Sequence, residues 1–223
     1  MEAVIKVGGS LAETPEVLRA VCKTLGQLAR MHQILVVPGG GEFADLVRDI
    51  DMRYSLPPIT AHRMAVLSMD QYAFLLSELT PNSERARNLG EIEEILGSNK
   101  AAVLLPSQLI LEESSLESSW DVTSDSIAAY IADRLHAQKL ILITDVDGIF
   151  TYDPKTRAKA RLLKTTSASE LLKHGQRTCV DRFLPVMLLK TKFDCYIING
   201  NHPQRIVKIL ANERTIGTQI LTK

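Results

Sequence analysis

The chain has 223 residues, 45% hydrophobic and 23% charged, which suits a soluble globular protein built as one large domain or two small lobes. Lys plus Arg balance Asp plus Glu at 26 each and aromatics are only 5%, so there is no electrostatic case for nucleic acid or a membrane surface, and no platform for stacking bases. The three cysteines, Cys22, Cys179 and Cys195, are odd in number and lack metal-ligand spacing; with no signal peptide or membrane-length apolar run they point to the cytoplasm.

The first element is a strand, Val4 to Val7, followed by Gly8-Gly9-Ser10 and a helix from Pro15 to Met31. Thr14 is placed to cap that helix, with Pro15 at its first position. A glycine turn between strand and helix aims backbone N–H groups at an anion, most often a phosphate, and glycine lets that anion come close. Lys6 adds a mobile positive charge. The bland reading is a tight turn beside an exposed lysine, and this segment alone does not separate the two. The P-loop pattern is absent.

A second buried strand, Ile34 to Val37, leads into Pro38-Gly39-Gly40-Gly41. A glycine run at a strand end costs backbone entropy and suggests a backbone that must hug a ligand. Glu42 to Ile50 reads as a helix carrying Arg48, which could pair with an acceptor phosphate or carboxylate, or could be a solvated surface charge. Thr60 to Leu79 is a long helix with Met64, Leu67, Met69, Phe74, Leu75 and Leu79 as its apolar positions. It is also a possible subunit interface, and His62 and Arg63 lie near its start.

Ala101 to Leu105 is a strand, and Leu109 to Ser119 is loop-like. Asp121, Thr123, Ser124 and Asp125 crowd the mouth of a helix running from Ser126 to Leu135, where capping accounts for one acid but not for the whole set. Leu140 to Ile143 is then a strand buried on both faces, ending in the polar loop Thr144-Asp145-Val146-Asp147-Gly148-Ile149-Phe150 and closing at Asp153-Pro154. Open parallel sheets bind ligands at the carboxyl ends of such strands. After a basic stretch from Arg157 to Lys164, a helix begins at Ser167 or Ser169 and ends at Gly175. A short helix from Val180 to Leu189, a strand from Cys195 to Ile198, a helix from Arg205 to Ala211 and a closing strand from Gly217 to Leu221 complete the chain. This alternation predicts a three-layer α/β/α sandwich on a mostly parallel central sheet.

Lys6-Val7-Gly8-Gly9-Ser10, Gly39-Gly40-Gly41, Thr123-Ser124-Asp125 and Thr144 to Phe150 occur in the order and spacing of the amino acid kinase superfamily. The resemblance covers nearly the whole chain and implies the carbamate kinase-like fold as a single domain, with residues 1–119 as acceptor lobe and 120–223 as ATP lobe. It implies ATP-dependent phosphoryl transfer with Mg²⁺ arriving on ATP and no dedicated metal site. It implies Lys6 and Asp125 as the catalytic pair, with Gly8, Gly9 and Ser10 on the ATP phosphates. Thr144, Asp145, Asp147, Gly148, Phe150 and Asp153 would lie on the nucleotide side. Gly39, Gly40, Gly41, Arg48, His62, Asp121, Thr123 and Ser124 would face the acceptor. Relatives of this kind are dimers to hexamers, so a homo-oligomer is expected.

The second half resembles uridylate kinases, but the acceptor half departs from them. They carry an Arg shortly after the triple glycine, where this chain has Glu42-Phe43-Ala44-Asp45, and an Asp where this chain has Ala61 before His62. The lysine that acetylglutamate kinases use in their second half has no clear counterpart, although Lys190 and Lys192 lie nearby. The segments Phe43 to Arg48 and Ala61 to Tyr72 are similar instead to a branch that phosphorylates [5-(aminomethyl)furan-3-yl]methyl phosphate in methanofuran biosynthesis. A uridylate or amino-acid kinase, and a non-catalytic nucleotide-binding or storage protein, remain the alternatives.

Overall fold

The computed structural model describes residues 1–113, 116–152, 156–157, 159–174 and 179–222. The sheet has eight strands: β1 (Ala3–Val7), β2 (Ile34–Pro38), β3 (Ser83–Ala86), β4 (Ala101–Leu104), β5 (Lys139–Thr144), β6 (Thr165–Ser167), β7 (Asp194–Asn199) and β8 (Thr218–Leu221), in the order β3-β4-β2-β1-β5-β7-β8-β6. Every pairing between these strands is parallel except β7 with β8. The fold is the expected three-layer α/β/α sandwich.

The central strands are buried along their length, as expected of unbroken apolar runs with helices on both sides. Alternation divides their side chains. Val4, Leu35, Leu140 and Leu142 join one core, with Ile127 and Ile131 of α6 (Ser124–Arg134); Ile5, Val36, Ile141 and Ile143 join the other, with Leu18 and Leu25 of α1 (Pro15–Leu28). Lys6 shares its face of β1 with Val4 and so points to the α6 side. Among the described residues no helix is long and apolar enough to cross a membrane.

Several expectations need correction. Thr14 occupies the cap position of α1 but makes no side-chain cap hydrogen bond. The helix after the triple glycine is longer than expected, α2 (Gly41–Tyr54). The segment that follows the long helix, for which the sequence offered no element, runs into edge strand β3. The region after it holds a helix, α4 (Leu89–Gly97), capped by Asn88, whose side chain accepts from the Glu91 N–H at 2.9 Å. Part of the loop-like stretch is helical, α5 (Ser107–Glu113).

The long helix, α3 (Pro58–Leu79), forms as predicted but buries a different face. Of the six expected apolar positions only Met69 is buried; Leu67, Phe74 and Leu75 are exposed. Ala61, His62, Val66, Ser68, Tyr72, Ala73 and Leu76 face inward instead. This helix is apolar nearly all round, so pattern alone could not choose its inner face, and the small residues let it approach the sheet closely. In the second half, α7 (Ala168–His174) is opened by Ser167, whose hydroxyl accepts from the Glu170 N–H while Glu170 accepts from the Ser167 N–H, a reciprocal capping box. The short helix near Leu189 is α8 (Leu184–Leu188), and α9 (Gln204–Leu210) follows β7. Asp153, Pro154 and Gly175 lie outside the described residues.

Candidate active site

The carboxyl ends of β1, β2 and β5 open into a cavity of about 580 Å³. The glycine loops after β1 and β2 form one wall. They are in backbone contact: a Cβ on Gly9 would lie 2.1 Å from the Gly41 nitrogen, and one on Gly39 would lie 2.6 Å from the Gly9 nitrogen. Gly41 sits at φ +57°, in the left-handed region glycine favours. The first loop is tied at both sides, since the Gly8 N–H donates to the Ile143 carbonyl at 2.8 Å and the Gly8 carbonyl accepts from the Tyr72 hydroxyl at 3.2 Å. Tyr72, on α3, is fully buried, and burial pushes its phenol well above the ordinary range.

Lys6 reaches the cavity from β1. Its Nζ lies 2.8 Å from Asp125 Oδ1 of α6, and the two side chains are only 11% and 7% exposed. Burial pushes the Asp125 carboxyl up, the Lys6 ammonium pulls it back down, and the neighbouring Asp181 carboxylate raises it again. A lysine held this way is a positioned positive charge in the lining of the cavity, which it shares with Gly8 and Gly9 of the first loop.

The far wall belongs to α2 and α3. Arg48 lines the cavity; its Nη1 donates to Asp45 Oδ1 at 2.7 Å, and its guanidinium carbon lies 4.9 Å from the centre of the Trp120 ring. The Trp120 indole donates to Asp51 Oδ2 at 2.8 Å, and Asp51 Oδ1 accepts from the Leu56 N–H at 3.0 Å. Glu13 and Glu42 also line the cavity, which therefore mixes acids with its bases. Arg63 is exposed and does not line it.

His62 is 8% exposed and lines the cavity. Burial lowers its pKa below the ordinary 6.5. An unfolded chain therefore takes up a proton near pH 6.5 before the folded one does, so this side chain contributes stability that is present above 6.5 and lost as pH falls through the depressed value. Denaturant titrations from pH 7.5 to 5 are expected to show that loss, and His62→Gln to flatten the slope in that window.

The remaining site residues spread around this space. Gly40, Ser10, Thr123, Ser124 and Thr144 line it. Gly39 sits behind it as framework, its N–H on the Val7 carbonyl at 2.8 Å. Asp121 does not line it; its carboxylate is exposed, 3.8 Å from Arg182. Asp145, Asp147, Gly148 and Phe150 leave the rim for the loop after β5. There Arg205 of α9, buried, holds Asp147 Oδ1 at 2.6 Å, the Thr144 hydroxyl reaches Asp145 at 3.2 Å, and Phe150 bridges to Leu162. Gly148, at φ +149°, packs where a Cβ would meet Thr218 Oγ1 at 2.4 Å. Lys190 and Lys192 are exposed and do not line the cavity. Among the described residues no group of three or more His, Cys, Asp or Glu side chains could hold a metal ion.

A profile of the amino acid kinase family matches residues 1–187. The chain belongs to the amino acid kinase family. The chain is 32% identical to the [5-(aminomethyl)furan-3-yl]methyl phosphate kinase of Methanocaldococcus jannaschii, with 98% of this chain and 97% of that protein covered. It is 26% identical to a uridylate kinase of Methanococcoides burtonii, over 96% of this chain and 92% of that one. The crystal structure of the uridylate kinase from Archaeoglobus fulgidus superposes with a TM-score of 0.79 at 25% identity, covering 99% and 100%. An isopentenyl phosphate kinase substrate complex shares the fold, with a TM-score of 0.69 at 21% identity over 99% of both chains. This protein is an ATP-dependent kinase.

Sequence reading missed four residues of this kinase's site. Tyr72 ties α3 to the first glycine loop, Asp51 anchors Trp120, and Arg205 anchors Asp147; nothing in their local sequence signals these contacts. Asp181 accepts from the Thr123 and Ser126 N–H groups at 2.9 Å each and thereby caps α6 from outside, where Asp121 or Asp125 was expected to do so. Its signal was present, since an acid shortly before Leu184-Pro185 is a helix-start pattern.

Proposed function

We propose that this kinase transfers the γ-phosphoryl group of ATP to [5-(aminomethyl)furan-3-yl]methyl phosphate, giving the diphosphate. The observation that carries the reading is the mixed charge of the cavity lining, where Arg48, Asp45, Asp51 and Glu42 come from α2 and Glu13 from the segment after the first glycine loop. That acceptor bears a phosphate at one end and, at neutral pH, an ammonium at the other. UMP offers the phosphate but no cation to set against Glu13 and Glu42, the lining acids other than Asp45 and Asp51, which Arg48 and Trp120 already engage. Asp45 stands where uridylate kinases have an Arg, and Ala61 where they have an Asp, which fits a different acceptor.

In this reading Lys6 neutralises charge on the transferred phosphoryl group, and Asp125 holds Lys6 rather than acting as an obligatory base. Gly8, Gly9 and Ser10 hold the ATP phosphates, and Thr144, Asp145, Asp147, Gly148, Phe150 and Asp153 make the nucleotide side. Gly39, Gly40 and Gly41 cradle the acceptor, with Arg48 on its phosphate and His62, Thr123 and Ser124 around it; Asp121 lies at the outer margin. Residues 1–119 form the acceptor lobe and 120–223 the ATP lobe. Mg²⁺ is carried by the ATP phosphates, as this ion usually is. Positioning and charge stabilisation are what phosphoryl transfer asks of a protein. The exposed Leu67, Phe74 and Leu75 of α3 suit a homo-oligomer.

The test is ADP release with ATP and Mg²⁺ against the furan phosphate and UMP side by side. Turnover on the furan phosphate alone is expected; turnover on UMP alone would establish the uridylate reading, which the relatives at 26% and 25% identity support. Arg48→Ala is expected to raise the acceptor KM about 10- to 100-fold, the loss of one charged contact, with kcat changed far less. Full activity in that variant removes Arg48 from the acceptor site.

A further inference from the structure

One carboxylate organises the floor of the cavity without lining it. Asp181 Oδ2 accepts from the Thr123 N–H, the Thr123 hydroxyl and the Ser126 N–H, each at 2.9 Å. Its Oδ1 accepts from the Ser126 hydroxyl at 2.5 Å and from the Leu184 N–H at 2.8 Å. Its own N–H donates to Asp125 Oδ2 at 3.1 Å, while the other oxygen of Asp125 holds Lys6 at 2.8 Å. A helix cap satisfies one or two N–H groups. Asp181 does more: it closes the start of α6 and the start of α8 with the same group, and its backbone carries the second anchor of the carboxylate that fixes Lys6.

The geometry has a direct consequence for the lysine. Asp125 has two oxygens; Lys6 takes one and Asp181 N–H takes the other, so the rotation of the Asp125 carboxylate is set by where residue 181 sits. Residue 181 sits where its side chain is pinned to Thr123 and Ser126. Ser126 is fully buried, so on its side of these bonds water has little access to take the place of Asp181. We infer that Asp181 is a positioning residue for phosphoryl transfer, acting on Lys6 through Asp125 and coupling the chain that enters α8 to the reacting end of the cavity. The inference rests on the kinase reading of the site but not on which acceptor is used.

The experiment is a mutant cycle between Asp181→Asn and Lys6→Ala in the full chain, with Asn88→Ala as a control that removes a cap from α4 away from the cavity. Asn keeps the shape of Asp but cannot accept on both arms, so the Leu184 N–H and Ser126 hydroxyl lose their fixed partner. Two readouts are taken: turnover with ATP, Mg²⁺ and the furan phosphate, and affinity for a non-hydrolysable ATP analogue. In the unmutated background Asp181→Asn is expected to lower kcat about 10- to 100-fold, the order expected from a misplaced group, to leave the acceptor KM within about twofold, and to weaken analogue binding. In the Lys6→Ala background the same change is expected to alter both readouts less than about twofold, because the group it positions is gone. Equal losses in the two backgrounds, or a lowered Tm with unchanged kcat as in Asn88→Ala, would overturn the inference and leave a cap. If the furan phosphate is not turned over, the acceptor assignment fails while the analogue cycle still decides. Should Asp181→Asn not fold, Ser126→Ala removes one bond to the same carboxylate and is expected to act in the same direction, again only where Lys6 is present.

Discussion

Lys6→Ala is expected to lower kcat about a thousandfold while leaving the KM for ATP within about tenfold. A preorganised charge aimed at the transferring group acts most in the transition state, and removing one such contact costs roughly 3–4 kcal/mol in other enzymes. The check is steady-state ADP release with both substrates varied. A second consequence separates this from a simple binding loss. Lys6 is also the partner of a buried acid, and removing one member of a buried pair costs roughly 3–5 kcal/mol where the other stays charged. Asp125, already pushed up by burial, can relieve part of that cost by taking a proton. The Lys6→Ala protein should therefore melt lower than the unmutated one, and adding Asp125→Asn should restore part of the Tm without restoring turnover. Near-normal turnover in Lys6→Ala contradicts the mechanism outright.

Gly9→Ala should be nearly as damaging, for a steric reason. The new methyl would sit 2.1 Å from the Gly41 nitrogen and 2.3 Å from its Cα. Backbone cannot swing aside as a side chain does, so the two glycine loops must part by about 1 Å, a displacement that can cost about a hundredfold in rate. Because both loops move, kcat/KM is expected to fall for ATP and for the acceptor together, in contrast to the acceptor-only effect at Arg48. Gly97→Ala is the matched control: a Cβ there meets nothing within 4 Å. In a helix that substitution should be neutral or stabilising by up to about 1 kcal/mol. Initial-rate measurements on the two variants, with melting curves, check the pair.

The central strands were legible because a buried parallel strand writes itself as an unbroken apolar run, as in Leu140 to Ile143. The glycine loops were legible because few other functions justify that much glycine at strand ends. The edge strand β3 was not legible: Ser83-Glu84-Arg85-Ala86 buries only its last residue and holds its place through pairing with β4. Helix α4 carried a readable signal in Asn88 with Ile92, Ile95 and Leu96, and a charged, short sequence obscured it. Helix α3 was legible as a helix but not in its rotation, since apolar residues occur on both its faces. At the site, Lys6 and Asp125 were recognisable only as members of an ordered motif set; that they touch is a tertiary fact. Asp181, Tyr72 and Asp51 act across the chain, their partners 55 to 69 residues away, and no local pattern encodes such pairing.

The contact between the glycine loops bears on how this kind of kinase can diverge. The Gly41 backbone excludes a side chain at Gly9, while Gly41 itself is held by its φ of +57° rather than by crowding, since a Cβ there would lie 3.6 Å from Gly9; each position is fixed for its own reason. Inheritance of a new acceptor must then proceed elsewhere, on the helices that follow the loops. In the proposed reading the acceptor is met there, by Arg48 of α2 and His62 of α3, both of which line the cavity. The loops are the sterically fixed part of the cavity, and the wall beyond them is where side chains can change.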